Sequence, residues 1–280
     1  MALSPAQRHL ARHRAAAVAL AAGLAAADAI VAPPHPDEGE DAQTYRLLMT
    51  QLIEDRRRLS DIAATDNKIA AKREMIGAYD DYVDAVLDAA RQTGKAVQDE
   101  IVVTVMIWSL DLELWSRALD IAEHVFRFGL QLPQRFKRDA PTFVVEQIAE
   151  AALKAAKLDA DFDRDILSRI LLMAQPYDIV DIVQAKLRKA IGLQLVRLAN
   201  GEAAQDGPAG QNRHAVAAAL EMFEAAYRLD PKIGVTKDIE TLKRQLKKIA
   251  IPESIPDPVP ADAGQDTANS ETAAAQPGAG

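Results

Sequence analysis

The chain has 280 residues, carries a net charge of −8, and is 49% hydrophobic but only 5% aromatic. This length allows one large or two small hydrophobic cores, and the alanine-rich composition favours helices over sheets. The absence of cysteine excludes disulfides, thiolate nucleophiles and Cys-ligated zinc, and no stretch approaches the roughly 20 strongly apolar residues of a membrane span.

Residues 1–31 are predicted to form one basic helix, because Ser4-Pro5 is typical of a cap followed by proline at the first helical position. A basic stretch before an apolar one also mimics a secretory signal peptide, although its apolar part is alanine rather than leucine. Up to Asp28 the segment contains no acid. Its basic side chains predict either a phosphate contact or a solvated face; they are Arg8, His9, Arg12, His13 and Arg14.

Residues 32–43 are predicted to be a linker, and residues 44–92 a helical hairpin. Apolar residues recur in the hairpin at steps of three, four and seven, which indicates a coiled-coil-like seam. We expect this seam to mediate oligomerisation; its members are Tyr45, Leu48, Leu52, Leu59, Ile62 and Ile69. A second helix at about 75–92 should end at Gly94.

Residues 93–250 are predicted to form a helical core domain around "IVVTVMIWSL" (101–110), which is apolar on every side. A strand is the alternative, but no second run of this type exists to pair with it. The next helix should end at Gly129, before a basic loop that carries Arg135, Lys137 and Arg138. Further helices are predicted at about 141–157, 164–174, 178–199, 212–229 and 233–249, and residues 251–280 as a disordered acidic tail.

Four carboxylates flank the predicted central helix: Asp99, Glu100, Asp111 and Glu113. A metal nuclease needs two or three carboxylates that converge on Mg²⁺, but the two pairs lie at opposite ends of a helix roughly 15 Å long. We therefore predict no metal site, and interpret Asp111 as the N-cap of the next helix. Asp111 and Glu113 are the weak candidates for catalysis.

Two other motifs predict no chemistry. The alternating acids of "LDADFDRDI" (158–166) are typical of a calcium loop, but the required glycine and glutamate are missing. These acids are better explained as caps for a helix that begins near residue 164. "TGKA" (93–96) lacks the upstream glycine and the following Ser/Thr of a phosphate loop, so no ATPase site is predicted.

Two segments share an Ala-Leu pattern, "ALDIAEHVF" (118–126) and "ALEMFEAAYRLDP" (219–231). The second closes with Leu-Asp-Pro, as tetratricopeptide helices often do. The predicted fold is therefore all-α, built of antiparallel helical hairpins that are partly tetratricopeptide-like. An adaptor that binds a protein partner in a helical groove is one functional interpretation.

A resemblance to a known family supplies a second functional interpretation. The segments "SPAQRHLARHRAA", "QDEIVVTVMIWSLDLELWSRALDIAEHVFRFGLQLP", "VQAKLRKAIGLQL" and "ALEMFEAAYRLDPKIGVTKDIETLKRQLK" occur in this order. Together, over residues 3–249, they resemble the small subunit of tailed-phage terminases, also called the terminase endonuclease subunit. The central segment carries the most specific match, with Trp108, Asp111, Ala118-Leu119 and Gly129-Leu130 in place.

The resemblance implies a role in phage DNA packaging in the host cytoplasm. Its implied partners are cohesive-end double-stranded DNA, the ATP-driven large subunit and further copies of the chain, with no membrane. DNA contacts would then come from Arg8, His9, Arg12 and Arg14, with Arg135, Lys137 and Arg138 as a second candidate group. The family name also implies DNA cleavage, for which Mg²⁺ would be the cofactor, although no convincing catalytic site is visible. The N-terminus resembles that of the family, so we expect it to be retained.

Overall fold

The computed structural model describes residues 32–35, 40–201 and 209–249, and among these residues it contains helices and no strand. The predicted all-α class is confirmed, while the tetratricopeptide-like detail stays a prediction. The helices are α1 (Glu40–Asp61), α2 (Thr65–Met75), α3 (Asp80–Thr93), α4 (Glu100–Asp111), α5 (Trp115–Phe128), α6 (Ala140–Lys157), α7 (Arg164–Ala174), α8 (Asp181–Asn200), α9 (Ala209–Leu229) and α10 (Thr236–Ile249). No helix of the described part is long and apolar enough to span a membrane.

Helix α4 lies at the centre of the main hydrophobic core. Every residue from Ile101 to Leu110 is buried, which confirms the predicted central helix. It contacts α1, α3, α5 and α6. Its buried Ser109 hydroxyl donates to the Val105 carbonyl of the preceding turn at 2.7 Å, so this polar side chain is satisfied inside the helix.

The predicted seam packs against this same core. Leu52 is fully buried and Leu59 is nearly so, while the other four members, Tyr45, Leu48, Ile62 and Ile69, are partly buried against the core. The apolar stripe of α1 and α2 therefore has a partner within the chain. Substitution of Leu52 would disturb folding as well as any subunit contact.

Glycine ends two helices as predicted. Gly94 and Gly129 adopt left-handed backbone angles, with φ of 67° and 63°, directly after α3 and α5. The expected helix at 75–92 is divided, however, because a 3-10 turn (Ile76–Tyr79) precedes α3. Gly77 is a weak helix former within this turn. The turn buries Tyr79, whose hydroxyl donates to Asp55 at 2.6 Å.

A second, smaller hydrophobic cluster joins α8, α9 and α10 around Phe223, Val235 and Leu242. Helix α8 contributes to both clusters, through Leu187 to the first and Ala199 to the second. The predicted divisions at 43/44 and 92/93 stay predictions, with α1–α3 and α4–α8 sharing the first cluster. The expected basic helix at 1–31 and the expected acidic tail at 251–280 lie outside the described residues, which begin at Ala32.

Helix α8 approaches α9 closely at Gly192. A Cβ atom added there would lie 2.5 Å from the ring of Phe223, which is fully buried and cannot swing away. We predict that Gly192→Ala destabilises the protein, because overpacking costs about 1–3 kcal/mol and exceeds the gain in helix propensity. Urea unfolding followed by circular dichroism measures the effect.

Gly77→Ala is the matched control, because a Cβ there would meet only an Asp80 oxygen at 3.9 Å. It should leave the free energy of unfolding unchanged or raise it. Equal stability of the two variants would show that α8 and α9 do not pack through Gly192.

Candidate nucleic-acid interface

Asp99 caps the start of α4. Its carboxylate accepts hydrogen bonds from the backbone N–H groups of Ile101 at 2.8 Å and Val102 at 3.0 Å, and from the hydroxyl of Tyr82 at 2.6 Å. The side chain is fully buried, and this burial raises the pKa of Asp99 although the three donors oppose the shift. Asp99 therefore stabilises the helix end from inside the core.

Glu100 and Thr104 bind a partly buried guanidinium. Arg56 of α1 donates through Nη1 to Glu100 Oε1 and through Nη2 to Thr104 Oγ1, each at 2.5 Å. Thr104 is fully buried and the side chain of Arg56 is 25% exposed. This arginine consequently joins α1 to α4 and is not free to contact a ligand.

The prediction that Asp111 caps the next helix is wrong. Asp111 is the last residue of α4, and the cap position of α5 belongs to Leu114, which makes no side-chain cap bond. The intervening turn places Glu113 in the left-handed region with φ of 59°, so α5 begins later than expected. Asp111 instead accepts a hydrogen bond from Lys72 Nζ of α2 at 2.5 Å.

The two candidate catalytic carboxylates are thus not brought together with other metal ligands. Glu113 is exposed in the turn, and Asp111 is paired with a cation. Within the described ranges, no group of three His, Cys, Asp or Glu side chains could hold a metal ion. Of the four acids that flank α4, Asp99, Glu100 and Asp111 make contacts within the fold, and Glu113 is exposed.

The acids at 159–165 divide into two structural roles. Asp163 caps α7 by accepting from the backbone N–H of Asp165 at 2.8 Å, as predicted. Asp159 and Asp161 instead pair with Arg197 of α8, Asp161 at 2.5 Å. That long-range pairing was not visible in the local sequence pattern.

The predicted basic loop before α6 presents two of its three cations to solvent. Arg135 and Lys137 are exposed, and the Arg135 guanidinium lies 4.8 Å from the Phe136 ring centroid. Arg138 pairs with Glu146 at 3.0 Å. Desolvation, and next the charge of Arg56, lower the pKa of Arg135, while the charges of Glu100 and Asp111 oppose this shift. The loop therefore offers Arg135 and Lys137 for a phosphate contact.

Three consecutive arginines of α1, Arg56–Arg58, form a weak phosphate site. Arg56 is engaged with α4, Arg57 pairs with Glu54 at 3.2 Å, and Arg58 pairs with Glu74 at 3.1 Å. The last two pairs are exposed and contribute little stability, but each places a carboxylate beside its arginine. A phosphate approaching this run would meet acids as well as bases.

The sequence patterns did not predict a basic surface on α10. Residues 209–249 contain eight basic and five acidic residues, although the chain as a whole is acidic. We call the exposed set Lys237, Arg244 and Lys247 the α10 basic face. Among the described residues no carboxylate forms an ion pair with them, although exposed Glu240 lies one turn from Lys237 and Arg244 on the same face, and neighbouring Lys243 pairs with Glu224 at 2.8 Å. The cluster "KRQLKK" (243–248) was the available signal.

Two arginines on neighbouring helices influence each other, Arg188 on α8 and Arg228 on α9. Burial, and then the charge of Arg228 on α9, lower the pKa of Arg188 on α8. Arg188 donates to the Gln184 side chain at 3.0 Å rather than to a carboxylate. The predicted contacts Arg8, His9, Arg12 and Arg14 lie outside the described residues.

Comparison with known proteins identifies the relatives of this chain. Residues 49–182 match the family described as phage small terminase subunit. The chain is 34% identical over 246 residues to the terminase, endonuclease subunit of Escherichia phage P2. The aligned region covers 87% of this chain and 86% of that protein. It is 24% identical over 157 residues to the probable terminase, endonuclease subunit of Haemophilus phage HP1 (strain HP1c1), covering 56% and 55% respectively. No solved structure matches the chain.

His124 of α5 is a buried histidine whose pKa is shifted by its surroundings. It is 6% exposed, its Nε2 has no hydrogen-bond partner among the described residues, and its ring lies 5.0 Å from that of Phe128. Burial, assisted by the charges of Arg91 and Arg127, lowers the pKa of His124 to about 4. The imidazole is therefore neutral in the folded protein at pH 7.

This burial predicts a loss of stability in mild acid. The folded pKa lies below the unfolded value of about 6.5, so unfolding takes up a proton between these values. Stability contributed by neutral His124 is complete above pH 6.5 and falls by up to about 3 kcal/mol as the pH approaches 4. We expect His124→Phe to flatten the pH dependence of urea unfolding across this window, whereas His214→Phe on the exposed surface of α9 should not. An unchanged slope for His124→Phe would contradict the assignment.

Proposed function

The chain belongs to the phage small terminase subunit family, which supports a role in DNA packaging, and we propose that it is the subunit that binds cohesive-end site DNA. In this proposal the chain assembles as a homo-oligomer in the host cytoplasm. It holds the DNA for the large ATPase subunit of terminase, which then cuts and packages the genome. The free cations of the described surface are the observation that carries the DNA contact.

The DNA contact is proposed to have two parts. The first is the arm at residues 1–27, which carries Arg8, Arg12 and Arg14 and no acid. The second is the α10 basic face, whose three exposed cations have no acidic partner in the described part. Phosphate contacts at either part depend on charge and spacing rather than on base sequence.

The Arg135–Lys137 loop is a third, smaller candidate. Its two exposed cations lie at the edge of the main core, and Arg138 is held by Glu146. It has fewer free charges than either of the other sites. We therefore assign it a supporting role in the same electrostatic contact.

DNA cutting is proposed to depend on the large subunit. Three of the four carboxylates around α4 support this view, because Asp99 is a buried cap, Glu100 binds Arg56 and Asp111 binds Lys72. The word endonuclease in the names of the P2 and HP1 relatives favours a second candidate function. In this alternative, the subunit itself cleaves DNA with Mg²⁺. Purified subunit alone, incubated with Mg²⁺ and cohesive-end DNA, distinguishes the two.

The homo-oligomer is proposed to form through the partly exposed members of the α1–α2 stripe. Leu52 and Leu59 are buried inside the chain, whereas Tyr45, Leu48, Ile62 and Ile69 keep some exposed surface. A helical adaptor for a protein partner is the alternative function, favoured by an apolar groove beside α1 and α3. Such an adaptor would not bind DNA.

The arm should make a measurable electrostatic contribution to DNA binding. Replacing Arg8, Arg12 and Arg14 together with Ala removes three phosphate contacts, each of which releases condensed counterions from the DNA. We predict that the slope of log affinity against log salt concentration decreases by about 2.7 for all DNA sequences. Fluorescence anisotropy with a cohesive-end duplex and a scrambled duplex measures it. The corresponding variant of the α10 basic face should reduce the slope by a similar amount.

A triple variant of paired arginines, Arg57, Arg58 and Arg91 to Ala, is the control. It makes the same change in net charge but removes cations that already have carboxylate partners. Its salt slope should stay near that of the unchanged protein. Equal slopes for all three triple variants would refute a localised contact, and wild-type binding by the arm variant would shift the assignment to the α10 basic face and the Arg135–Lys137 loop.

A further inference from the structure

An open apolar groove runs between α1, α3 and the segment that leads into α4. Its volume is about 950 Å³. Most side chains of its walls are small or aliphatic. The apolar wall residues include Leu47, Tyr82, Ala85, Val86, Ala89 and Val97. Leu47 is 68% exposed, which is unusual for a leucine beside a hydrophobic core. This surface is therefore suited to cover by another apolar element.

The chain itself is fixed at the edge of this groove. Ala32 is buried at 7% exposure, and the Pro33 carbonyl accepts from the backbone N–H of Gln98 at 2.6 Å. The ring of His35 stacks on that of Tyr45 at a centroid distance of 3.8 Å. Pro33 and His35 also line the groove. Residue 31 must consequently leave the described structure close to the groove.

The sequence just before this anchor matches the groove in chemistry. Residues 15–27 carry no charge, and Asp28 is the one charged residue between Arg14 and Ala32, so most of the stretch can enter an apolar site without burying a charge. An apolar stripe recurs there at alternating steps of three and four, which is the spacing of one helix face. Its members are Ala17, Leu20, Leu24, Ala27 and Val31.

We propose that residues 15–31 dock in this groove of the same chain through that stripe. The alanines of the groove wall leave room for the backbone of a second helix to approach, since the distance between packed helices depends on the side chains at the contact. Attachment at Ala32 makes the docking intramolecular. A short tether gives an effective concentration of about millimolar, which favours the chain's own segment over a second copy or a free peptide.

Docking has a consequence for the basic end of the arm. Arg8, Arg12 and Arg14 immediately precede the docked stretch and would be presented from a fixed side of the protein. A fixed set of cations loses less conformational entropy on binding an anionic surface than a free tether does. The docking itself is independent of what the arm binds, so it holds or fails separately from the proposed DNA contact.

Disulfide trapping in the full chain tests the docking, because the natural sequence contains no cysteine. Leu20, Leu24 and Ala27 are each replaced by Cys in combination with Ala85→Cys or Ala89→Cys in the groove. A disulfide needs Cα atoms roughly 4.4–6.8 Å apart, so its rate of formation reports close approach. Bond formation under mild oxidation is followed on non-reducing gels and by mass spectrometry, with circular dichroism to check the fold.

Two controls keep the same tether length. Asp88→Cys replaces the groove cysteine by one that is exposed on α3, next to Ala89 but outside the groove. Ala22→Cys replaces the stripe cysteine by one on the opposite face of the expected helix. We expect at least one stripe–groove pair to form a bond within the chain about tenfold faster than either control.

The other outcomes overturn the proposal. Equal rates for stripe, Ala22 and Asp88 cysteines would mean that the arm samples the surface freely. A bond between two chains would mean that the groove is filled by a second copy. No bond in any folded stripe–groove pair would mean that the groove has another occupant.

Discussion

The fold depends on complete burial of α4, because a helix covered on every side must have its polar groups satisfied by the protein itself. Ten consecutive residues, Ile101 to Leu110, are buried. Asp99 supplies acceptors for the first N–H groups, and Arg56 satisfies both Glu100 and Thr104. At the other end Lys72 pairs with Asp111. Together with the Tyr82 hydroxyl of α3, which donates to Asp99, these contacts fix α1, α2 and α3 around α4, since an unsatisfied buried polar group costs about 1–3 kcal/mol.

The same constraint decides what the acidic residues can do. Carboxylates that cap α4 or hold arginines and lysines of neighbouring helices are not available to gather a metal ion. Asp159 and Asp161 are likewise engaged by Arg197. Among the described cations that lack such partners are those of the α10 basic face and of the Arg135–Lys137 loop. The described part of an acidic protein can thus present local surfaces suited to phosphate, which net charge alone conceals.

Sequence reasoning succeeded where the determining interactions are local. An apolar run without a partner strand predicted α4, Gly94 and Gly129 predicted helix ends, and Asp163 predicted the cap of α7. It failed at Asp111 because the partner, Lys72, is remote in sequence and belongs to another helix. An aspartate can either cap the next helix or form a long-range ion pair. The turn after Asp111 decides between these roles, because α5 begins only at Trp115.

Two further features were not predicted, because they too depend on more than the local sequence pattern. Periodicity identified the stripe from Tyr45 to Ile69, but a stripe does not reveal which surface covers it, and the chain's own core does so at Leu52. The α10 basic face was overlooked because charge was averaged over the whole body, where Asp and Glu outnumber Lys and Arg. Counting charge helix by helix would have found it at 237–248.

The central claim is that the carboxylates around α4 hold the fold together and do not cut DNA. The most direct measurement is the rate at which cohesive-end DNA is cut, with Mg²⁺, by this subunit together with its large-subunit partner, comparing the unchanged chain with Asp111→Asn. Asparagine can still accept a hydrogen bond from Lys72, so the account predicts an unchanged cutting rate. A folded Asp111→Asn protein that binds DNA normally but no longer supports cutting would contradict it.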